Sequence, residues 1–429
     1  MLRAFAQAFR TPDLRNKLLF SLAIMAIFRF GAFIPAPGVS YANVQICVNA
    51  SNQSILDMVN LFSGGGLLQL SVFALGIMPY ITASIIMQLM RVAVPRLEEL
   101  HKEGQSGQTK ITQYTRYLTI ALGVLQSVVV ITMANTGQLF PGCTVDPMPN
   151  ATPWSNMLTV LAMTAGTGLI MWLGELITER GVGNGMSLLI FTSIVASFPT
   201  QLISLAGGAN GVLNFSIMIL LILAITLAVT FVELTQRRIP VQYAKRMVGR
   251  RLYGGSPTYI PLKINQSGVI PVIFASSILQ LPVLAAQFAP QAAWSVWLQQ
   301  HFLLSQGPWY MTVYALLIIF FAFFYTSITF NPDEVSDNMK KYGGFIPGIR
   351  AGKPTAEYLR YVMNRLTTAG SLYLAVVALL PVVVISAMGA SSTMQFGGTT
   401  IMIMVGVGLQ TVREIDSQLQ QRHYEGFLQ

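Results

Sequence analysis

The chain has 429 residues, 53% of them hydrophobic and only 10% charged, with a mean hydropathy of +0.58, a balance that excludes an ordinary soluble globular protein. Against 16 Asp and Glu stand 26 Lys and Arg, a net charge of +10. The basic residues are confined to short clusters, and Phe30–Met90, Tyr117–Glu179, Gly181–Gln236, Ile264–Met339 and Leu366–Val412 hold none. A spanning helix needs ~20 mostly apolar residues, so each basic-free stretch can cross a bilayer and return. Basic residues stay on the cytoplasmic side. The pattern therefore predicts ten spans, with both termini and every basic loop in the cytoplasm and five hairpin tips outside.

In chain order, Met1–Lys17 reads as a cytoplasmic interfacial helix, with Leu2, Phe5, Ala6 and Phe9 at helical spacing. It leads into a retained first span, because the apolar run continues past Arg29 to the Pro-Ala-Pro-Gly exit at Pro35–Gly38. The expected spans are Leu18–Ile34, Leu70–Met90, Tyr117–Asn135, Trp154–Ile177, Met186–Leu205, Leu213–Val232, Gly268–Phe288, Tyr310–Ile328, Thr367–Met388 and Thr399–Val412. The last is short and is expected to continue as an amphipathic helix past Arg413, whose side chain would snorkel to the interface. Between the first two spans, Ile55–Leu68 is apolar but too short to cross and is broken by Gly64, Gly65 and Gly66, so it reads as re-entrant. A division near Ala206–Gly211 gives halves 18–206 and 207–412, each with an odd number of spans, which must insert with opposite orientation. Residues 413–429 form a cytoplasmic tail.

Two cytoplasmic excursions exceed what orientation alone requires. Glu233–Lys263 alternates Ile239, Val241 and Tyr243 with Pro240, Gln242 and Ala244, and a second extended run, Tyr259–Lys263, follows a Gly-Gly pair, so a β-hairpin with a basic tip is expected. Asn331–Arg365 is a second raised basic loop. Cys47 and Cys143 fall on outward tips where an oxidising compartment would permit a disulfide; two separate structural cysteines are the expectation.

Ionisable groups at membrane depth mark coupling sites, and few occur. Arg29 lies ~18 Å into the first span at 1.5 Å per residue and needs an internal partner, with Asp57 the nearest acidic candidate. Glu175, Glu179 and Arg180 sit where the fourth span returns to the cytoplasm and are expected to be solvated. A buried carboxylate chain is missing from the sequence, which disfavours the alternative that the ten-span layout also permits, an ion- or proton-coupled secondary transporter. His101, His301 and His423 are scattered, so no metal site is expected; no GxxxxGK[ST] phosphate loop occurs, and neither a cofactor nor an enzymatic activity is expected. Ile77 and Ile81 share a helical face with Ser84 and Gln88.

Five motifs, VFALGIMPYITASIIMQL at Val72–Leu89, MWLGELITERGVGNGMSLLIF at Met171–Phe191, QRRIPVQYAKRMVGRR at Gln236–Arg251, LKINQSGVIPVIFASSI at Leu262–Ile278 and FNPDEVSDNMKKYGGFIPGIR at Phe330–Arg350, resemble the bacterial SecY family, the central subunits of the Sec protein-conducting channel. The resemblance runs in order from about Leu14 to the C-terminus. It implies an all-α membrane protein whose ten transmembrane helices form a clamshell of two inverted five-helix halves with a re-entrant plug helix. The implied activity is passage of signal-sequence-bearing unfolded polypeptides across the bacterial cytoplasmic membrane and sideways release of transmembrane segments into lipid.

By position in those motifs, the pore ring would be Ile77, Ile81, Ile190, Ile270, Ile273 and Ile403, a constriction able to dewet and seal. The plug would be 55–68, with Ile55, Asp57, Asn60, Phe62 and the hinge glycines Gly64, Gly65 and Gly66. Ser84, Gln88, Gln126 and Asn265 are the polar candidates of a lateral gate between the second and third spans and the seventh and eighth. Implied partners are the SecE and SecG subunits, the SecA ATPase, the ribosome, preprotein signal sequences and membrane lipids. Docking would fall to Lys245, Arg246, Arg250 and Arg251 on the first loop and Lys340, Lys341 and Arg350 on the second. One departure is KEGQSGQTK, where many relatives carry an Arg pair in place of Gln108 and Thr109.

Overall fold

Thr11, with extended backbone, and Pro12 at the first helical position, where its missing N–H leaves no bond unmade, start α1 (Pro12–Gly31). In this computed structural model the basic segment and the first span are one helix, so the expected division at residue 17 is not an element boundary. The described residues are all except 1–8, 10, 51–62, 138, 141–142, 144, 150, 207–210, 244–245, 249–250, 254–257, 289–291, 303–306, 388–397 and 426–429. The expected interfacial helix therefore lies largely outside them, as do plug positions Ile55, Asp57, Asn60 and Phe62. A short outer helix that the charge pattern does not mark, α2 (Tyr41–Ala50), follows α1.

The second span departs most from expectation. Helix was expected from Leu70, but α3 covers only Met78–Ala93, about 24 Å at 1.5 Å per residue. Residues 63–77 instead form successive turns, with glycines in left-handed backbone at Gly64, Gly65 and Gly76. Their backbone is anchored to the first-span exit: Ala36 N–H donates to Leu70 O (3.0 Å), Val72 N–H donates to Ile34 O (2.9 Å), and Pro35 bridges Ser71. Phe73 lies so close to α1 that a Cβ on Gly31 would stand 2.1 Å from its ring. Irregular backbone is tolerated at this depth only where protein covers it, and Leu67, Leu70, Ser71, Phe73, Ala74, Leu75 and Ile77 are all buried.

α4 (Pro95–Lys102) buries no residue, and α5 (Gln105–Asn135) begins inside the segment read as a loop. α6 (Pro153–Arg180) is capped by Thr152, whose Oγ1 accepts from Ser155 N–H. The turn to α7 (Gly185–Ala206) is as tight as its glycines permit. Asn184 Oδ1 accepts from the N–H groups of Met186 and Ser187, and a Cβ on Gly185 would stand 1.9 Å from Gly174 O. That contact is backbone and cannot yield by a rotamer change. Gly185→Ala should therefore cost about 1–3 kcal/mol, as overpacking does, read as a lowered thermal midpoint in detergent; an unchanged midpoint would mean that the helices can part here freely.

α8 (Gly211–Leu234) buries only a stripe, Met218, Ile225 and Val229, and otherwise faces outward. The expected hairpin follows. β1 (Gln236–Tyr243) pairs antiparallel with β4 (Thr258–Lys263) from Gln236↔Lys263 to Val241↔Thr258, with a small ladder of β2 (Arg246–Val248) and β3 (Arg251–Tyr253) toward the tip.

Beyond the hairpin come α9 (Ile270–Phe288), the outer α10 (Ala293–Phe302), α11 (Pro308–Thr329) and α12 (Pro332–Lys341). Asn331 caps α12. The second loop returns β5 (Gly344–Phe345), which pairs with β1 at Gln242 and Tyr243. Ile239, Val241 and Leu262 of the sheet, Met339 and Ile346 of the second loop, and Leu359, Val362 and Met363 of α13 (Lys353–Ala387) share one core. The two loops are thus one small cytoplasmic unit. α14 (Gly398–Glu425) extends the last span as expected, far into the segment read as a tail.

The helices pack in the same order in both halves. In the first, α3 packs on α5, α5 on α6, α6 on α7, and α7 on α1; in the second, α9 packs on α11, α11 on α13, α13 on α14, and α14 on α8. This repetition between oppositely inserted halves is the inverted architecture, and no sequence identity announced it. The halves meet twice: α7 against α8 and α14 on one side, α9 against α3 and α5 on the other. Among the described residues five helices are long and apolar enough to cross a membrane, and the protein is a multi-pass membrane protein.

Candidate functional site

The helices that carry the ring isoleucines are those that join the halves. Ile77 precedes α3, and its carbonyl accepts from Ile81 N–H (3.1 Å); Ile190 is on α7, Ile270 and Ile273 on α9, and Ile403 on α14. Ile77, Ile81, Ile190 and Ile403 are buried and Ile270 and Ile273 partly buried, all six in or against one apolar cluster. All six thus belong to one apolar core to which both halves contribute.

Arg29 finds its partner in the turn segment. Its guanidinium donates to the carbonyl of Gly64 and lies 4.7 Å from the Phe33 ring centroid. Gly64 also abuts Ser193 of α7, so three elements converge at the first glycine of the expected hinge. Asp57, the partner expected from sequence order, lies outside the described residues.

The polar gate candidates do not form one network. Gln88 Nε2 donates to Ser84 Oγ (3.4 Å) along α3, where both are half-buried, and Gln126 is half-buried on α5. Asn265 is buried at 3% exposure, and its Nδ2 donates to Glu233 Oε1 (2.7 Å) and to Gly268 O (3.0 Å), within its own half. Across the seam the contact of α9 with α3 and α5 involves largely apolar helices.

Two expectations about charges are corrected. Glu175 is not simply solvated: Arg116 grips it bidentately (2.8 and 2.7 Å), and with Trp172, Glu179 and neighbours they line a pocket of about 290 Å³. Arg413 does not snorkel; its Nη2 donates to the backbone carbonyl of Glu233 (2.9 Å), filling a valence that the end of α8 leaves open. Sequence reasoning missed Glu233 because its partners lie 32 and 180 residues away.

Of the docking candidates, Lys245 and Arg250 lie outside the described residues, and Arg246 and Arg251 fall on β2 and β3. Lys340, Lys341 and Arg350 are exposed, the lysines in the last turn of α12 where the helix dipole favours them. Arg238 lies over the Tyr259 ring (4.7 Å), and Arg360 pairs with Asp333 (2.7 Å) on the surface of the same unit. On α4, the hydrogen bond from Lys102 holds the Glu98 carboxyl below its ordinary range; the pair is fully solvated and contributes little.

Outside, Cys47 of α2 and Cys143 are joined in a disulfide, which corrects the expectation of two separate cysteines. The pair was not legible because 96 residues separate the partners. Cys47 is buried in an outer core with Leu67, Leu70 and Met163.

Two inverted helical halves, sharing an apolar core and meeting along two separate edges, define a polytopic membrane protein of the channel class. The model of the SecY family matches residues 71–412. The chain is 59% identical to the protein translocase subunit SecY of Streptomyces galbus and 53% identical to that of Mycobacterium bovis, in each case over 100% of both chains. The chain belongs to the SecY family. Its fold is shared with a solved protein-conducting channel at a TM-score of 0.60 and 18% identity, covering 93% of this chain and 91% of that one. A Sec61 channel from a canine ribosome–channel complex superposes at 0.58 and 16%, with the same two coverages.

Proposed function

We propose that this chain is the channel-forming subunit of a bacterial protein translocase, passing unfolded, signal-sequence-bearing polypeptides through the constriction and releasing transmembrane segments between α9 and the α3–α5 pair. The observation that carries it is that the six isoleucines share one apolar core, on or directly before helices that join the halves, in a chain at 53% or more identity to named translocase subunits. The secondary-transporter alternative has no support in these relatives.

In this reading the plug is the re-entrant segment 55–68, hinged at Gly64–Gly66. The half-buried Ser84, Gln88 and Gln126 lie beside the gate, while Asn265 serves at its cytoplasmic base. The chain sits in the cytoplasmic membrane with both termini inside, beside SecE and SecG. The basic tips, Lys245, Arg246, Arg250 and Arg251 with Lys340, Lys341 and Arg350, dock the SecA ATPase or the ribosome, whose RNA phosphates would be held by salt-sensitive contacts. The motor is a separate chain.

Proteoliposomes holding this chain with SecE and SecG, supplied with SecA, ATP and a preprotein, should protect the preprotein from external protease. No protection with all partners verified active would sink the channel reading. Arg246→Glu should lower SecA-driven translocation at least about tenfold, reversing one charge at the docking tip, while the thermal midpoint stays within about 2 °C, since surface changes rarely exceed ~0.5 kcal/mol. Equal loss of both would make Arg246 structural.

A further inference from the structure

The hairpin leaves and re-enters the membrane domain at one place. α8 ends at Leu234 and β1 begins at Gln236; β4 ends at Lys263, paired with Gln236, and Ile264 N–H extends the ladder to Thr235 O (3.4 Å). At this base Asn265 is buried, donating to Glu233 Oε1 (2.7 Å) and to Gly268 O (3.0 Å), while its Oδ1 accepts from Ser267 Oγ (3.2 Å). The Glu233 carbonyl in turn accepts from Arg413 of α14 (2.9 Å).

Stability alone gives no reason for a glutamate here. A carboxylate in the last turn of a helix opposes the dipole, and partial burial adds a desolvation cost. What Glu233 does accomplish is connection. Through its side chain it holds the segment that leads into α9, five residues before Ile270 and eight before Ile273; through its carbonyl it holds α14, ten residues after Ile403. Three of the six ring positions are thus tied to one point at the foot of the hairpin.

We propose that Glu233 and Asn265 form a positioning joint that transmits displacement of the docking hairpin to the pore ring. The joint rests on the channel reading above, and adds to it how a partner bound outside the membrane reaches the constriction. Gly370 leaves the joint little slack on its far side: a Cβ there would stand 2.7 Å from Ile264 O. A tilt of β1 against β4 therefore moves the base of α9 instead of being absorbed beside it.

The test uses the same proteoliposomes. Wild-type protein must first protect the preprotein; failure there counts against the channel reading and not the joint. Given that activity, Asn265→Ala should lower the maximal translocation rate about tenfold, an ordinary size for coupling between sites, while the SecA concentration at half-maximal rate stays within about twofold. Glu233→Gln, which keeps an acceptor for Asn265, should hold the rate within about twofold of wild type; Asn265→Asp, which sets two carboxylates face to face, should fall at least as far as Asn265→Ala. If Asn265→Ala is not recovered folded, Glu233→Ala opens the same contact from the other side and is judged by the same split. A wild-type rate in the alanine variant, a parallel loss of SecA affinity, or a Glu233→Gln rate as low as that of Asn265→Ala would each overturn the joint.

Discussion

Replacing Ile81 and Ile273 together with Asn should convert the resting channel into an ion leak, raising the conductance of planar bilayers that hold the purified protein by at least about tenfold. Ile81 is 8% exposed and Ile273 partly buried, on helices from opposite halves that touch at the seam. An aliphatic constriction blocks ions because water cannot be held there, and amides at these two positions would supply donors and acceptors that hold it. The folding cost is about 1.5–3 kcal/mol for each buried aliphatic side chain lost, so the thermal midpoint is read beside the conductance to separate leak from misfolding. Each single replacement should leak less than the pair. Unchanged conductance in a correctly inserted double variant would remove these residues from the seal.

Arg29→Met should loosen the segment after the hinge glycines without unfolding the membrane domain. Met keeps the length and apolar stem but loses every donor, leaving the buried Gly64 carbonyl unpaired at about 1–3 kcal/mol and forfeiting ~0.5–1 kcal/mol of attraction to the Phe33 ring. At 1.4 kcal/mol per tenfold, opening of residues 63–71 should become about 10- to 700-fold more frequent. Hydrogen exchange at the amides of Gly66, Leu70 and Ser71, which are bonded within the turns, reads this directly, and exchange in α6 should not move. Arg29→Lys keeps one charged donor and should fall between. An unaltered exchange pattern in Arg29→Met would mean that the turn segment is held by Phe73 and its backbone anchors alone.

What was legible in the sequence was what repeats or segregates. Lys and Arg clusters mark the loops, period-two alternation at Ile239, Val241 and Tyr243 gives β1, and amphipathic continuation at Arg413 and Glu414 marks that α14 runs on, though not how far. The proposed ring positions rest on long motifs, since isoleucine on an apolar helix carries no signal of its own.

What was hidden is non-local or irregular. Hydropathy around Leu70–Ile77 is that of a helix, and backbone bonds to Ile34 and Ala36, with bonds inside the turns, hold it out of one. The Cys47–Cys143 pair, the Arg116 grip on Glu175 and the Arg413 bond to Glu233 each join residues from different helices or loops. Side chains of this kind look ordinary until the chain is folded.

The pairing of β5 with β1, with their shared core, ties the two long loops into a single unit. Torque applied at the turn of Arg350 and torque applied at the far tip of β2 and β3 act on the same lever, whose feet are α8, α9 and α13. In the proposed reading, a force applied at either tip would act on the same unit, so two partners gripping different loops would share one route into the membrane domain.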